Sequence, residues 1–328
     1  VPQPTTKTND AAAPQILNIT AKETSMYREL PVWRSLMYVP VNVEKYVDKA
    51  HTRGADVIQL DVEDSVPPAE KANARKLIEK NAARVRRGGA DVVVRINQPL
   101  SLAVRDIECA VCPDVNGIAV TKASGVSHLQ LLDELVSELE QKRGMTVGHT
   151  KFITMIETPE AFFKIREITT ATPRIIACNI GGEDFALNCN MQPTGEALFY
   201  PKQQMVIAAN ATGIMPLGFV DSVATFGDWD NFRKMVRRSR DFGFMGAGCI
   251  HPGQVTIVNE EYKPSAVEVE YARKVIAMDK EAAAAGRGSF ALDGKMIDIP
   301  IIVRAERLLR RYDAIVAREA KTLAAMKG

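Results

Sequence analysis

Between Arg34 and about Asn259 the chain repeats one pattern eight times: a short apolar, largely β-branched run, then a stretch of helical character. The runs fall at residues 35–41, 56–61, 91–96, 117–121, 151–156, 174–180, 217–223 and 246–250. Most are continuously apolar rather than alternating, as strands buried on both faces of a helix-covered parallel sheet must be. Helices are expected over 43–52, 68–86, 128–142, 160–170, 201–212 and 229–242. Eight parallel strands, each followed by a crossover, close into a (β/α)₈ TIM barrel. The competing arrangement is an open doubly wound sheet. No Gly-rich phosphate fingerprint follows the first run, which weighs against it.

Three regions follow from this pattern. Residues 1–31, rich in Thr, Ala and Pro, read as a flexible arm that a neighbouring subunit could order. Residues 32–260 carry the barrel, and residues 261–328 a C-terminal helical extension. There Ser265 and Glu268 have capping-box spacing. Val267, Tyr271, Val275 and Met278 mark one helix face, and Gly286 ends that helix. An irregular segment through Asp298 and Pro300 then leads to a last helix, from about Ile301 to Met326.

Charge and cysteine usage narrow the function. Forty-two basic and 40 acidic residues leave a net charge of +2, and only 6% of residues are aromatic. That is no nucleic-acid footprint, which needs a basic stripe with interleaved aromatics. The basic cluster at 233–240 reads as a solvated helix face. Five cysteines are too sparse for a disulfide framework, and Cys109 and Cys112 read as a structural thiol pair. No apolar run approaches the roughly 20 residues that span a bilayer. A cytoplasmic protein is expected.

The positions of the charged residues say more. Asp61, Glu63 and Asp64 follow the second run, Arg95 and Asn97 end the third, and Lys122 follows the fourth. Glu157 follows the fifth, Glu183 and Asp184 the sixth, and His251 the eighth. In a barrel all of these reach the C-terminal face, where barrel enzymes build active sites. Asp64 and Glu183 serve equally well as helix N-caps, and His251 as a structural or supporting residue. Glu157 is harder to read as a cap, because Thr158 is available for that task. Arg95 extends an apolar strand and needs an anionic partner, whether a carboxylate or a substrate. Converging carboxylates without a His or Cys cluster favour a hard cation such as Mg²⁺.

Seven motifs, in order, resemble the citrate lyase beta subunit-like family of HpcH/HpaI aldolase-type barrels, with malyl-CoA and citramalyl-CoA lyases as relatives. They are Arg34-Ser-Leu-Met-Tyr-Val-Pro40, Leu60-Asp-Val-Glu-Asp-Ser-Val66, Val94-Arg-Ile-Asn97, Met155-Ile-Glu-Thr158, Gly181-Gly-Glu-Asp-Phe185, Ile250-His-Pro252 and Gly294-Lys-Met-Ile-Asp-Ile-Pro300. The resemblance spans about Arg34 to Arg311. It implies a Mg²⁺-dependent lyase that splits a small 3-hydroxyacyl-CoA thioester into a 2-keto acid and an acyl-CoA. Glu157 and Asp184 would ligate Mg²⁺, and Arg95 would clamp the keto-acid carboxylate. Asp61, Glu63 and Asp64 would support Arg95 and the metal's waters, with Asp61 and Asp64 among the catalytic candidates. Glu183 and His251 would stand behind them. Asp298, delivered by a neighbouring subunit of a trimer or hexamer, would protonate the acyl-CoA enolate. Arg34 and Lys122 would help hold coenzyme A or substrate.

Two positions depart from the common pattern. Val41 stands where many relatives have Gly, and Thr121 where many have Pro. A thioesterase using the same metal, or a non-catalytic barrel that binds CoA thioesters, are the alternative readings.

Overall fold

A computed structural model describes residues 30–221 and 227–327. The eight barrel strands are β1 (Ser35–Pro40), β2 (Val57–Asp61), β3 (Asp91–Ile96), β4 (Gly117–Val120), β5 (Lys151–Ile156), β6 (Ile175–Ile180), β7 (Met215–Leu217) and β8 (Ala247–Cys249). All pair in parallel, in the order β7-β6-β5-β4-β3-β2-β1-β8. The β7–β8 seam closes through a bridge between Leu217 and Gly246. Backbone hydrogen bonds from Gly218 N to Gly246 O (2.8 Å) and Met245 N to Pro216 O (2.9 Å) complete it. The expected (β/α)₈ barrel is therefore the fold.

The helices are α1 (Glu44–Ala50), α2 (Lys71–Arg75), α3 (Ile78–Val85), α4 (Leu100–Ala110), α5 (Val126–Lys142), α6 (Pro159–Phe162), α7 (Ile165–Thr170), α8 (Gly182–Asn188), α9 (Gly195–Thr212), α10 (Trp229–Asp241) and α11 (Pro252–Glu261). The helices expected over 68–86 and 160–170 are each broken into shorter pieces, and one further helix and one strand are displaced. Thr194 caps α9, which begins at Gly195, six residues before the expected start at 201, and Pro201 sits inside the helix. The strand expected at 217–223 is instead β7, pairing at Met215–Leu217. Residues 222 and 223 lie outside the described residues, as does the arm expected over 1–31 except for its last two.

The period-two rule of a strand divides the core. Ile58, Leu60, Val92, Val94 and Ile118 face outward and pack against the helices. Leu36, Val57, Val93, Ala119, Ile153, Met155 and Ala177 fill the barrel. Two or four residues further along the inward face come Tyr38, Gln59, Asp61, Arg95, Glu157 and Asn179. The inward face thus runs from apolar at the N-terminal end to polar at the C-terminal mouth.

The extension comprises α12 (Ala266–Ala284), β9 (Phe290–Leu292), β10 (Lys295–Ile297) and α13 (Ile299–Lys327). The Ser265–Glu268 capping box starts α12 as read. Its buried face is Val269, Ala272 and Val275; Val267, expected there, is 77% exposed. The segment expected to be irregular is a β-hairpin. Its turn residues Asp293 and Gly294 both have positive φ (49° and 75°), which gives the strands a matching twist.

The long helix α13 is tied to the N-terminal end of the barrel, and this corrects one expectation. Arg34 precedes β1, so it sits at that end and not at the mouth. Its guanidinium grips Asp56 through two hydrogen bonds (2.8 and 3.0 Å) and Glu319 of α13 at 2.8 Å. Arg318 adds a bond to Asp91 (3.2 Å), and Lys263 reaches Glu319 (2.6 Å). Arg34 is 2% exposed and lines neither cavity at the mouth, which places it away from the expected coenzyme A site. Removing one partner of a buried ion pair costs about 3–5 kcal/mol. Arg34→Ala is therefore expected to lose that much stability in urea denaturation, with ligand affinity at the far end unchanged.

Candidate functional site

Two adjoining cavities open at the C-terminal mouth. The smaller, about 260 Å³, is lined by Arg95, Glu157, Asn179, Gly181, Asp184 and Lys202, among others. The larger, about 930 Å³, is lined by Lys45, Lys49, Arg53, Ser65, His251 and neighbours. Tyr38, Asp64 and Arg95 form the wall between them.

The β2–β3 register sets Asp61 directly beside Arg95. Asp61 accepts from Arg95 Nε (2.8 Å) and Nη2 (2.7 Å), and also from the backbone N–H groups of Glu63 (3.0 Å) and Ser65 (3.1 Å). Burial alone would raise the Asp61 pKa; the Arg95 hydrogen bonds and charge outweigh it and leave the pKa lowered. Arg95 Nη1 reaches Glu63 (2.8 Å) and Asp64 (3.2 Å), and the guanidinium lies over the Tyr38 ring at 5.1 Å. The edge that suits bidentate recognition is thus occupied by Asp61, which modifies the expected substrate clamp. Only the Nη1 end, against the exposed Asp64, is open to exchange.

Glu157 follows β5 and is 2% exposed. Thr158 takes the cap of α6, accepting from Ala161 N at 3.2 Å, and so frees Glu157 for the mouth. Lys122 holds its backbone at φ 47°, an uncommon value for a side-chain-bearing residue. That turn directs its N–H to Glu157 Oε2 at 2.6 Å. The Lys122 ammonium stands 3.3 Å from Asp184 and 3.4 Å from Glu63. Desolvation raises the Glu157 pKa to about 7; Lys122 opposes this, while Asp184 and Glu63 add to it. Gly181 is required by close approach, because a Cβ there would collide with the Glu157 carboxylate.

These residues suit a hard cation. An ammonium already occupies the space between Asp184 and Glu63. Asn179 Oδ1, buried in the same wall, has no hydrogen-bond partner. Among the described residues no group of three or more His, Cys, Asp or Glu converges as a metal site. The residues here that could hold such a cation are the carboxylates Glu157 and Asp184, with the neutral Asn179 oxygen nearby. Mg²⁺ is commonly held by one or two carboxylates with its waters retained.

The other expected residues fall as follows. Glu183 is exposed in the first turn of α8, and neither it nor Asp64 is an N-cap. His251 is the cap of α11: its Nδ1 accepts from Gly253 N at 3.0 Å, and its ring packs against Trp229. Asp298 lies just before α13 and, within one chain, lines neither cavity. Val41 is buried with an ordinary φ, so no glycine freedom is needed there. Sequence reading missed Lys45 and Lys49, whose spacing of four marks one face of α1, and Arg53 in the turn after it. It also missed Lys202, a buried lysine whose pKa burial lowers to about 8.

Comparison with known proteins bears on the family and the fold. The HpcH/HpaI aldolase/citrate lyase family model matches residues 34–252. The citrate lyase subunit beta of Leuconostoc mesenteroides subsp. cremoris is 32% identical over 285 residues, covering 86% of this chain and 93% of that protein. The L-malyl-CoA/beta-methylmalyl-CoA lyase of Cereibacter sphaeroides is 30% identical over 307 residues, covering 87% and 96%. Among solved structures, the Mycobacterium tuberculosis CitE protein in complex with magnesium, acetoacetate and coenzyme A superposes with a TM-score of 0.68. It is 25% identical, with 86% of this chain and 98% of that one covered. A Burkholderia xenovorans citrate lyase shares the fold at a TM-score of 0.74 and 18% identity, covering 88% and 94%.

Gly181→Ala is expected to push Glu157 from its place. Overpacking of this kind costs about 1–3 kcal/mol. The variant should fold but bind Mn²⁺ or Mg²⁺ at least roughly tenfold more weakly in calorimetric titration, a loss of one lost charged contact's size. Unchanged affinity would show that Glu157 does not hold the cation.

Proposed function

The chain belongs to the HpcH/HpaI aldolase/citrate lyase family, and from that premise we propose that it is a Mg²⁺-dependent carbon–carbon lyase. Its substrate would be a small 3-hydroxyacyl-CoA thioester of the malyl, citramalyl or citryl type. Cleavage would yield a 2-keto acid and an acyl-CoA, and the reverse reaction would be a Claisen-type condensation. The observation that carries this reading is the carboxylate pair Glu157 and Asp184 in a cavity that shares the Arg95 wall with a larger basic one. The curated relatives that match most of the chain are lyases by name, which supports it.

When bound by Glu157 and Asp184, magnesium would supply Lewis acidity to the substrate's hydroxyl and carboxylate oxygens. The chain's own groups do the rest. Asp61 fixes the Arg95 guanidinium, and the substrate carboxylate takes the Nη1 end by displacing Asp64. Asp64, shared by both cavities, is the candidate acceptor for the hydroxyl proton. As that proton leaves, the C–O bond becomes a carbonyl and the breaking C–C pair passes into the thioester enolate. The enolate carbon then takes a proton from Asp298 of the partner subunit. Lys45, Lys49 and Arg53 line the larger cavity and suit the phosphates of coenzyme A. Because Asp298 lines neither cavity of its own chain, this reading needs an oligomer, a trimer or hexamer, with a composite site.

The first test incubates purified protein and Mg²⁺ with malyl-, citramalyl- and citryl-CoA, with mass-spectrometric product analysis and an EDTA control. EDTA-sensitive release of keto acid and acyl-CoA is expected; release of hydroxy acid and free coenzyme A would sink the lyase reading in favour of a thioesterase. Glu157→Gln and Asp184→Asn should each abolish the metal-dependent rate. Asp298→Ala should keep fold and metal binding yet lose about 10²–10⁴ in kcat, the scale of a general acid. Mixed assemblies of Asp298→Ala with Arg95→Ala should recover part of the activity, and failure to complement would rule out delivery across subunits.

A further inference from the structure

The smaller cavity has a second cation that the proposed mechanism leaves unused. Lys202 enters its wall from α9, the helix joining β6 to β7, and is 6% exposed. Among the described residues its ammonium makes one hydrogen bond, to the Asp221 carbonyl oxygen at 3.1 Å. An ammonium has three N–H donors. The carboxylates of Asp221 and Glu183 act on it through space and only partly offset its desolvation. A buried cation with donors to spare beside a cavity is costly unless something anionic completes it.

Its position in the barrel gives that anion a place. In the closed strand order β3 and β7 stand opposite each other. Arg95 belongs to β3, and Lys202 is tied to the residue that follows β7 by four positions. Glu157 and Asp184 lie between them, after β5 and β6. A 2-keto acid that meets the carboxylate pair and the Arg95 wall therefore points its far end towards Lys202. In a keto monoacid that end is a proton or a methyl group, and Lys202 gains nothing. In a keto diacid it is a carboxylate.

Resting on the lyase reading above, we propose that Lys202 is a specificity-determining residue that selects substrates whose keto-acid fragment carries a second carboxylate. The citryl-type thioester is then preferred over the malyl and citramalyl types. Lys202 touches the non-reacting end and takes no part in the proton transfers. The competing role is structural, a strut that holds the segment after β7 through the Asp221 carbonyl.

Calorimetric titration of the Mg²⁺-loaded protein with oxaloacetate, pyruvate and glyoxylate separates the two. Wild type is expected to bind oxaloacetate roughly 10- to 100-fold more tightly than pyruvate, the scale of one charge-assisted contact. Lys202→Met should remove that preference while leaving pyruvate affinity within a few-fold, and Lys202→Arg should restore most of it. A strut would weaken all three ligands together in Lys202→Met, and that result overturns the proposal. So do equal affinities for oxaloacetate and pyruvate in wild type, a comparison that needs no variant. Absence of binding by every keto acid would overturn the lyase reading itself, and this proposal with it.

Discussion

A guanidinium gripped by a buried carboxylate across one strand pair organises the mouth of this barrel. Asp61 and Arg95 are direct neighbours in the β2–β3 register and both point inward. The pair turns the remaining Arg95 nitrogen towards Glu63 and Asp64, so three acids converge on one base. Glu157 and Asp184 add two more on the adjoining wall, with Lys122 as their only close cation among the described residues. Around Arg95 and Lys122 five carboxylates face two cations, and Lys202 stands apart on the far wall, so this side of the mouth carries a negative surplus in a partly desolvated space. Burial does most to raise the Glu157 pKa, and the neighbouring charges of Asp184 and Glu63 add to it. A divalent cation is the simplest remedy, and the same imbalance makes the mouth unattractive to an anion that arrives without one.

Much of this was legible because strand periodicity is strict. Once β2, β3 and β5 are placed, Asp61, Arg95 and Glu157 must sit on the inward face at the C-terminal end. Thr158 as the helix cap was also readable, and it assigned Glu157 to the mouth by elimination. Reading failed where a local signal was atypical. Pro216 inside β7 disguised a strand, and the apolar run after it, including Phe219 and Val220, drew the assignment several residues too far along. Pro201 disguised the first turns of α9 in the same way. Lys202 escaped because a helix interior is not where a cavity cation is sought; only the packing of α9 against β6 and β7 brings it to the wall.

Arg34 shows the opposite failure. Family likeness suggested a ligand-binding role, yet its place before β1 already assigned it to the other end of the barrel. There it joins Asp56, Asp91, Lys263, Arg318 and Glu319 in a network that fastens α13 beneath the strands. Most of the polar investment at that end is structural. The separation is typical of this fold, in which the N-terminal face carries stability and the C-terminal face carries chemistry.

The barrel closes unevenly. Seven of its strand contacts are ladders, one with a register shift between Phe152 and Ile153, but β7 and β8 are three residues each and, among the described residues, meet through a single bridge and two flanking hydrogen bonds. Leu217 and Gly218, at that seam, also line the smaller cavity, far around the ring from Arg95. Inter-strand bonding is therefore thinnest on one side of the mouth. The wall that carries Arg95 is held by longer ladders than the wall facing the far end of a substrate, so evolution within this scaffold has a place to retune the size of what is accepted apart from the chemistry that acts on it.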